Sequence, residues 1–286
     1  MFRSTDDKVY AELLKFAGEH YENFPVVSVM VKKELRRHVA AVYWFARSAD
    51  DIADEGNYDP EVRLQKLQAF EIEFLNAMKG NYSNEYWPAL HNTVVERQLS
   101  VELFLDLLKA FKQDTIKIRY SDIDELLGYC RNSANPVGRL ILQLYNYRDE
   151  KLYEYSDHIC SALQITNFLQ DISVDYKKNR IYIPIKDIEY YGLNEQDFLR
   201  MTASGRINGD FRRLIEFYVK KTGKMFDYGS KLTHSLKGLL KIEIRWTVNG
   251  GMAILKKIEK LNYDTVSQRP VLSKGDLMGL MLRSLF

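Results

Sequence analysis

The 286-residue chain has few cysteines, few prolines and no long apolar run. Its two cysteines, Cys130 and Cys160, are too few for a disulfide framework and lack the close spacing of a zinc site. Isolated thiols are typical of a reducing compartment, so we expect a cytoplasmic protein. No stretch of about 18 apolar residues is present, which predicts that no segment spans a membrane. The first ten residues lack an apolar core, so we expect no signal peptide.

Neither sign of charge dominates the composition. The chain has 41 Lys and Arg against 39 Asp and Glu, a net charge of +2. Proteins that bind nucleic acid usually carry a basic excess or stripe, so we expect no nucleic-acid partner. The chain is 46% hydrophobic and 28% charged, which is typical of a globular protein long enough to bury a sizeable core.

Helical periodicity is the main pattern that is present. Apolar residues recur at three- and four-residue spacing in eight segments, which predicts eight helices. These segments are residues 10–22, 33–55, 62–78, 101–118, 123–145, 151–175, 211–232 and 238–261. The six prolines and fifteen glycines fall mostly in the breaks between them. We therefore predict one all-α domain over residues 1–286.

Three local features add detail to this prediction. Asp59 followed by Pro60 is typical of a helix start, with the proline in the first helical position. The alternating isoleucines of residues 180–185 predict a short extended segment, because Pro184 argues against a longer strand. The pair Gly250 and Gly251 is expected to interrupt the last long helix.

A polar stripe runs along the predicted helix of residues 33–55, beside a stripe of Leu, Val and Ala. Tyr43, Arg47, Asp50 and Asp54 follow one another at 4-3-4 spacing. Asp50 and Asp54 lie one turn apart, so their carboxylates share a face, with Cβ atoms roughly 5–6 Å apart.

A second polar stripe occupies the predicted helix of residues 151–175. Gln164, Asn167, Asp171 and Asp175 follow at 3-4-4 spacing among apolar neighbours. Buried polar groups need partners, so amides in this setting predict a lined cavity instead of a solvated face.

Two interpretations of the stripes remain open from spacing alone. Roughly one D-x-x-x-D pair is expected by chance in a chain of this length, and acidic stripes are often solvated. The protein would then be a non-catalytic helical scaffold or lipid-binding protein. The functional interpretation is that hairpins bring the two helices face to face, so that both stripes serve one site.

Carboxylates that face one another repel unless cations neutralise them. Oxygen ligands without Cys or His favour Mg²⁺, with Mn²⁺ as the alternative, and Mg²⁺ commonly shares its shell with substrate phosphates. Arg47 and Arg180 are candidates for binding phosphate oxygens. Loss of diphosphate would leave a carbocation, which requires an apolar, aromatic-lined pocket.

The chain resembles the squalene and phytoene synthase family. The family motif Y-x-x-x-R-x-x-D-D-x-x-D is matched by Tyr43, Arg47, Asp50, Asp51 and Asp54. The motif Q-x-x-N-x-x-x-D-x-x-x-D followed by R-I-Y is matched by Gln164, Asn167, Asp171, Asp175, Arg180, Ile181 and Tyr182. The segment from Tyr129 to Gly138 matches Y-C-x-x-x-A-x-x-V-G, and the resemblance extends from about residue 20 to 275.

This resemblance implies an all-α isoprenoid synthase fold with a central cavity and a cluster of Mg²⁺ ions. It implies that Asp50, Asp54, Asp171, Asp175 and the amide of Asn167 surround the metals and the diphosphate. It also implies that Arg47, Arg180 and Tyr182 contact phosphate. Gln164, Tyr43 and Tyr129 would line the reacting centre, where either tyrosine is a candidate for orienting water. Val137 and Gly138 would shape the tunnel for the isoprenoid chain.

One departure from the family pattern concerns the substrate. Family members usually carry H-S-x-S-F near the N-terminus, whereas this chain has His20, Tyr21, Glu22, Asn23 and Phe24. Loss of both serines argues against coupling of two farnesyl diphosphates. His20 and Asn23 remain candidate substrate-binding residues, His20 for the diphosphate or the quenching water.

Residues 22–26, 131–138 and 171–175 resemble the hydroxysqualene synthase subgroup, which serves a bacterial three-enzyme route to squalene for hopanoids. The resemblance implies conversion of presqualene diphosphate and water to hydroxysqualene and diphosphate, without NADPH. The alternative is coupling of two farnesyl diphosphates to presqualene diphosphate, squalene or dehydrosqualene. Expected partners are one of these diphosphates and the other enzymes of the squalene route.

The last segment, residues 274–286, is amphipathic. Its apolar residues lie near Lys274 and Arg283, which is typical of a helix that lies on a membrane surface. The other interpretation is a final helix that closes the domain.

Overall fold

The structure is a computed structural model that describes residues 3–19 and 31–284. Within these ranges the chain forms fifteen helices. They are α1 (Arg3–Glu19), α2 (Lys33–Asp54), α3 (Pro60–Ala77), α4 (Tyr86–Arg97), α5 (Val101–Asp114), α6 (Ile123–Ser133), α7 (Asn135–Leu144), α8 (Glu150–Gln170), α9 (Ile172–Lys177), α10 (Ile185–Tyr190), α11 (Glu195–Ser204), α12 (Gly209–Gly229), α13 (Leu232–Ser235), α14 (Gly238–Lys260) and α15 (Lys274–Ser284). The all-α prediction is confirmed.

Several local predictions are also confirmed. Asp59 is the N-cap of α3, and Pro60 is its first residue. The segment before α10 is extended, where Ile181 N–H donates to the Ile118 carbonyl at 2.9 Å and pairs in parallel with Arg119.

The prediction that residues 123–145 and 151–175 each form one continuous helix is wrong. The segment 123–145 divides into α6 and α7 at Ala134, because Pro136 lacks an N–H and its ring clashes with the carbonyl four residues earlier. The segment 151–175 divides into α8 and α9 at Asp171, whose φ of −108° and ψ of 16° leave the helical region. The second polar stripe therefore crosses a helix break instead of following one face.

The interruption predicted at Gly250 and Gly251 is also wrong, since α14 continues through both residues. Gly251 has a packing role: a Cβ atom there would lie 2.3 Å from Cζ of the buried Phe226. Helix α4 was not predicted, because Pro88 looks like a breaker, although proline is tolerated in a first helical turn.

The described chain forms two compact units. The first comprises residues 1–116 and 136–153. Its core is an aromatic cluster in which the Phe45 ring lies 4.9 Å from Phe74 and 5.0 Å from Phe104, with Trp87 also in the cluster. All four side chains are fully buried, so this core fixes α2 against α3, α4 and α5.

The second unit comprises residues 117–135 and 154–286. Its core includes Phe211, Tyr218 and Phe226 of α12, all fully buried. At Gly229 the backbone of α12 approaches α8 so closely that a Cβ atom would lie 2.8 Å from the Tyr155 carbonyl oxygen. The prediction that residues 1–286 form one domain stays a prediction.

None of the helices in the described part of the chain combines the length and apolar content that a membrane span requires.

Candidate active site

The first acidic motif lies at the C-terminal end of α2. The apolar stripe of this helix is buried as predicted, through Leu35, Val39, Val42, Ala49 and Ala53. Burial of that face leaves the neighbouring polar stripe at the edge of the core. Tyr43 is half-buried there, with its ring 6.2 Å from Phe16, while Asp54 is exposed.

Arg47 contacts three carboxylates of its own helix end. Its Nε lies 2.7 Å from Asp51 Oδ1, its Nη1 lies 3.4 Å from Asp50 Oδ2, and its Nη2 donates to Glu55 Oε1 at 2.9 Å. The guanidinium is largely buried, whereas the Asp50 and Glu55 side chains are exposed. Ion pairs with exposed partners contribute about 0–1 kcal/mol each, so a divalent cation would displace Arg47 from these carboxylates at small cost.

The end of α2 has an unusual charge distribution. Asp51 and Asp54 lie in its last turn, which has no basic residue. The helix dipole is negative at this end, so carboxylates here are disfavoured without a cation.

Arg63 of α3 contacts the backbone at the same end of α2. Its guanidinium donates to the carbonyls of Ala53 at 2.5 Å, Gly56 at 2.7 Å and Tyr58 at 3.2 Å. The Ala53 carbonyl is among those that the helix end leaves unpaired, while Gly56 and Tyr58 belong to the connection that follows. Arg63 therefore holds the acidic turn against the start of this connection.

The second acidic motif spans the break between α8 and α9. Asp171 forms a two-point ion pair with Arg269, in which Nε donates to Oδ1 and Nη2 donates to Oδ2 at 3.2 Å. This contact raises the pKa of the Arg269 guanidinium. Asp171 is therefore oriented by a residue 98 positions further along the chain.

Tyr129 and Tyr182 lie in a buried aromatic cluster with Tyr120 and Phe168. The Phe168 and Tyr182 rings stack at 3.8 Å with an interplanar angle of 7°. Tyr129 lies 6.1 Å from both rings and 5.6 Å from Tyr120. The stacking fixes the orientation of the Tyr182 ring. Tyr182 directly follows Arg180 and Ile181 in the R-I-Y motif.

The loop that carries Arg180 is held from one side by Arg119. Asn179 adopts a left-handed φ of 55°, and Arg119 donates to its carbonyl and, at 3.0 Å, to its side-chain oxygen. Asp175 and Arg180 line a small cavity together with Phe168 and Tyr182. Its volume of about 10 Å³ is enough for one water molecule but not for a prenyl chain.

The other predicted site residues occupy varied environments. Gln164 is half-buried and Asn167 is exposed. In α7, Val137 is exposed and Gly138 is half-buried. His20 and Asn23 lie outside the described residues. The roles assigned to all these residues stay predictions.

The residues present fit a hard divalent cation by the chemistry of their donors. The C-terminal end of α2 and its C-cap offer carboxylate oxygens from Asp50, Asp51, Asp54 and Glu55, the ligand type that Mg²⁺ prefers. Among residues 3–19 and 31–284, no three His, Cys, Asp or Glu side chains already converge as a metal-binding group. These carboxylates would hold the cation and supply its oxygen ligands.

Sequence reasoning did not identify Arg63, Arg269, Tyr120 or Phe168 as part of these sites. Arg63 contacts backbone carbonyls 5 to 11 positions earlier, and Arg269 contacts a side chain 98 positions earlier. Neither arginine lies within a motif. Tyr120 precedes the Tyr129 segment in an irregular connection, where periodicity carries no signal.

Cys130 is fully buried, and burial raises the pKa of its thiol to about 12. It is a packed thiol rather than a nucleophile, as expected.

Comparison with known proteins identifies the family. The sequence profile of squalene/phytoene synthase matches residues 17–276. The chain is 32% identical to a hydroxysqualene synthase of Zymomonas mobilis, over 94% of this chain and 89% of that protein. It is 39% identical to a hydroxysqualene synthase of Rhodopseudomonas palustris, over 62% of this chain and 59% of that protein.

A solved structure supports the same assignment. The crystal structure of squalene synthase HpnC from Alicyclobacillus acidocaldarius superposes with a TM-score of 0.83 at 35% identity, covering 90% of this chain and 95% of that one. The chain has the isoprenoid synthase fold and is an enzyme of the squalene/phytoene synthase family.

Proposed function

We propose that this enzyme is a Mg²⁺-dependent hydroxysqualene synthase, which converts presqualene diphosphate and water to hydroxysqualene and diphosphate. The observation that carries the proposal is the similarity to hydroxysqualene synthases, at 32% identity over 94% of the chain in one case. Family membership makes the protein an enzyme of isoprenoid biosynthesis, so the scaffold interpretation is not retained.

The carboxylates of the two motifs are the proposed metal and diphosphate ligands. Asp50 and Asp54 would act from α2, and Asp171 and Asp175 from the start of α9, with the Asn167 amide beside them. Bound Mg²⁺ would neutralise the negative charge that develops on the departing diphosphate.

The arginines have two proposed tasks. Arg47 and Arg180 would donate to phosphate oxygens, since the planar guanidinium matches such anions in a two-point geometry. Arg47 now contacts Asp50, Asp51 and Glu55, so phosphate binding requires it to leave at least one of them. Partly exposed ion pairs are weak enough for that exchange.

The aromatic cluster is the proposed stabiliser of the carbocation. Ring faces attract cations, and the rings of Tyr129 and Tyr182 are held in fixed orientations by Phe168 and Tyr120. The hydroxyl of Tyr129 or Tyr43 would orient the water that captures the rearranged cation. Burial of the cluster limits other water molecules, which protects the cation from early capture.

The alternative is head-to-head coupling of two farnesyl diphosphates. It is favoured by the similarity to a protein described as a squalene synthase, at 35% identity over 90% of this chain. The two functions differ in the substrate consumed and in whether the product carries an oxygen atom from water.

Product analysis separates these functions. Purified enzyme is incubated with presqualene diphosphate or farnesyl diphosphate, in heavy-oxygen water, with Mg²⁺ and without NADPH. We expect a C30 alcohol from presqualene diphosphate that carries the heavy oxygen in its hydroxyl group. A C30 hydrocarbon formed from farnesyl diphosphate at a comparable rate would contradict the proposal.

Substitutions test the proposed ligands in the same assay. Asp50→Asn and Asp171→Asn keep the size of each side chain and remove its charge, so we expect each to lower kcat/KM at least ~100-fold. Asp124→Asn is the matched control, because Asp124 is exposed in the first turn of α6 and belongs to neither motif. Unchanged kcat/KM in both site variants would exclude these carboxylates as metal ligands.

A further inference from the structure

Helix α15 is anchored along α14 by polar contacts. Asn249 Nδ2 donates to Ser284 Oγ at 2.9 Å, and Lys257 Nζ donates to Asp276 Oδ2 at 2.7 Å. Asp276 also accepts from the Ser273 backbone N–H and hydroxyl, both at 2.7 Å. These donors hold the pKa of Asp276 well below its usual range, so the anchoring carboxylate is charged.

The two helices enclose an open groove of about 350 Å³. Four cationic side chains and one carboxylate line it: Lys256, Lys257, Lys260, Arg283 and Asp276. Asp276 neutralises Lys257. Within residues 3–19 and 31–284, no carboxylate lies within ion-pair distance of the other three cations. The groove therefore carries an excess of three positive charges.

The outward side of α15 is apolar. Met278 and Leu282 are 65% and 58% exposed, and they lie four positions apart on one face of the helix. Gly275 and Gly279 continue that face towards the groove without side chains to cover it. An exposed apolar face beside a cationic groove is the arrangement of a helix that lies in a membrane interface.

We propose that this surface docks the enzyme on a bilayer of anionic phospholipids. The phosphate of a lipid headgroup lies in the groove, where it is contacted by Lys256, Lys260 and Arg283. Met278 and Leu282 enter the boundary between headgroups and acyl chains. Charge complementarity favours an anionic lipid in the groove. A partner that covered only the apolar face would leave three cations without counter-charges at the edge of the contact.

The test is co-sedimentation of the full chain with vesicles. One set of vesicles is phosphatidylcholine alone, and the other contains about one third phosphatidylglycerol. We expect binding to the anionic vesicles that weakens as salt is raised, since the surface potential is screened. Equal binding to both sets, or binding to neither, would overturn the proposal.

Two variants locate the contact. Lys256→Gln, Lys260→Gln and Arg283→Gln combined should lower the partition constant at least ~10-fold, because each basic residue near an anionic surface contributes severalfold. The matched control changes Lys79, Lys109 and Lys224 to Gln, three exposed cations on other parts of the chain, with the same loss of net charge. Equal loss in both triple variants would show attraction by net charge alone and overturn the site.

The second variant, Met278→Ser with Leu282→Ser, removes the apolar face. We expect at least ~5-fold weaker binding at high salt, where electrostatic attraction is screened. Its control is Ile72→Ser with Val95→Ser, which are 59% and 63% exposed on α3 and α4. Equal losses in the two variants would overturn the assignment of this face.

Two other occupants are distinguished in the same series. Saturable binding of glycerol phosphate without vesicle binding would overturn the proposal in favour of a soluble phosphate ligand. A change from dimer to monomer in Met278→Ser with Leu282→Ser, again without vesicle binding, would identify a second copy of the chain as the occupant. Activity on detergent-dispersed substrate should be the same in all variants.

Discussion

At the scale of single residues, arginines set the environment of the aspartates in both motifs. Arg47 contacts Asp50 and Asp51 on its own helix, so its reach follows from spacing. Arg269 reaches Asp171 from a distant segment, which spacing does not reveal. The two arginines come from different parts of the chain, but each orients a carboxylate of its motif.

Arg269 is expected to be a positioning residue for Asp171. Arg269→Gln should lower kcat/KM at least ~10-fold and raise the Mg²⁺ concentration required for half-maximal rate, because Asp171 loses its two-point partner. Arg269→Lys should recover part of the loss. Steady-state kinetics at several Mg²⁺ concentrations measure both effects.

The control for this prediction is Arg212→Gln. Arg212 donates to the Asn262 carbonyl and lies in neither motif. If Arg269→Gln lowers thermal stability but leaves the Mg²⁺ dependence unchanged, Arg269 is structural only.

The buried His38 is expected to make the free energy of unfolding depend on pH. It is buried, Arg37 Nε donates to its Nε2 at 3.2 Å, and its Nδ1 lies 3.0 Å from Thr93 Oγ1. Burial, with Arg37 nearby, lowers the pKa of the ring to about 4. A lowered histidine pKa means that the neutral form stabilises the fold fully above pH ~6.5, and that this stability is lost as pH falls towards 4.

The free energy of unfolding should therefore decrease by about 2 kcal/mol from this residue between pH 7.5 and pH 5. Urea denaturation at both pH values measures the decrease. In His38→Gln the decrease should be smaller by about that amount, whereas His234→Gln, at an exposed histidine, should behave as wild type. An unchanged pH dependence in His38→Gln would contradict the assignment.

At the scale of elements, close packing of helices depends on particular glycines. Helix α12 packs against α14 at Gly251, where the Phe226 ring occupies the space of a side chain, and against α8 at Gly229. In the sequence, a pair of glycines within a helix gives the same local signal for a kink as for a close approach of two helices. The structure shows a close approach at Gly251 and not a kink, because the Phe226 ring of the neighbouring helix occupies the position of a side chain.

Gly251→Ala should destabilise the protein by about 1–3 kcal/mol, because the added Cβ would lie 2.3 Å from Phe226. Phe226→Leu in the same chain should recover part of that loss. Gly223→Ala in α12 is the control, since nothing lies within 4 Å of its Cβ position. Alanine there should stabilise the helix by about 0.5–1 kcal/mol. Equal effects at both glycines, measured by urea denaturation, would exclude the packing explanation.

At the scale of the whole molecule, the chain does not divide into units at one boundary. Residues 117–135 belong with 154–286, while residues 136–153 belong with the first 116. Tyr120 and Tyr129 complete the aromatic cluster around Tyr182, and Ser161 Oγ donates to Asn135 Oδ1 at 2.9 Å. The second unit is therefore incomplete without its first segment.

A fragment of residues 154–286 is expected to lack cooperative unfolding, since it loses the aromatic partners of Tyr182. Joining residues 117–135 to it through a flexible linker should restore a cooperative urea transition and the near-ultraviolet circular dichroism of packed aromatic rings. A fragment of residues 154–286 that unfolds with the same midpoint as the joined form would contradict this expectation.

The sequence by itself determined the helical class, the position of α2 and the family. Hydrophobic periodicity over 22 residues defines α2 well, because a long amphipathic helix needs only local spacing to be recognised. The residues of the two acidic motifs could also be recognised from the sequence, since their chemistry follows from side-chain type and order.

Only the tertiary structure decided which partners those residues have. The break at Asp171, its pairing with Arg269 and the stacking of Tyr182 on Phe168 depend on contacts between segments remote in sequence. Such contacts carry no periodic signal, because they are set by how helices pack and not by the spacing within any one helix.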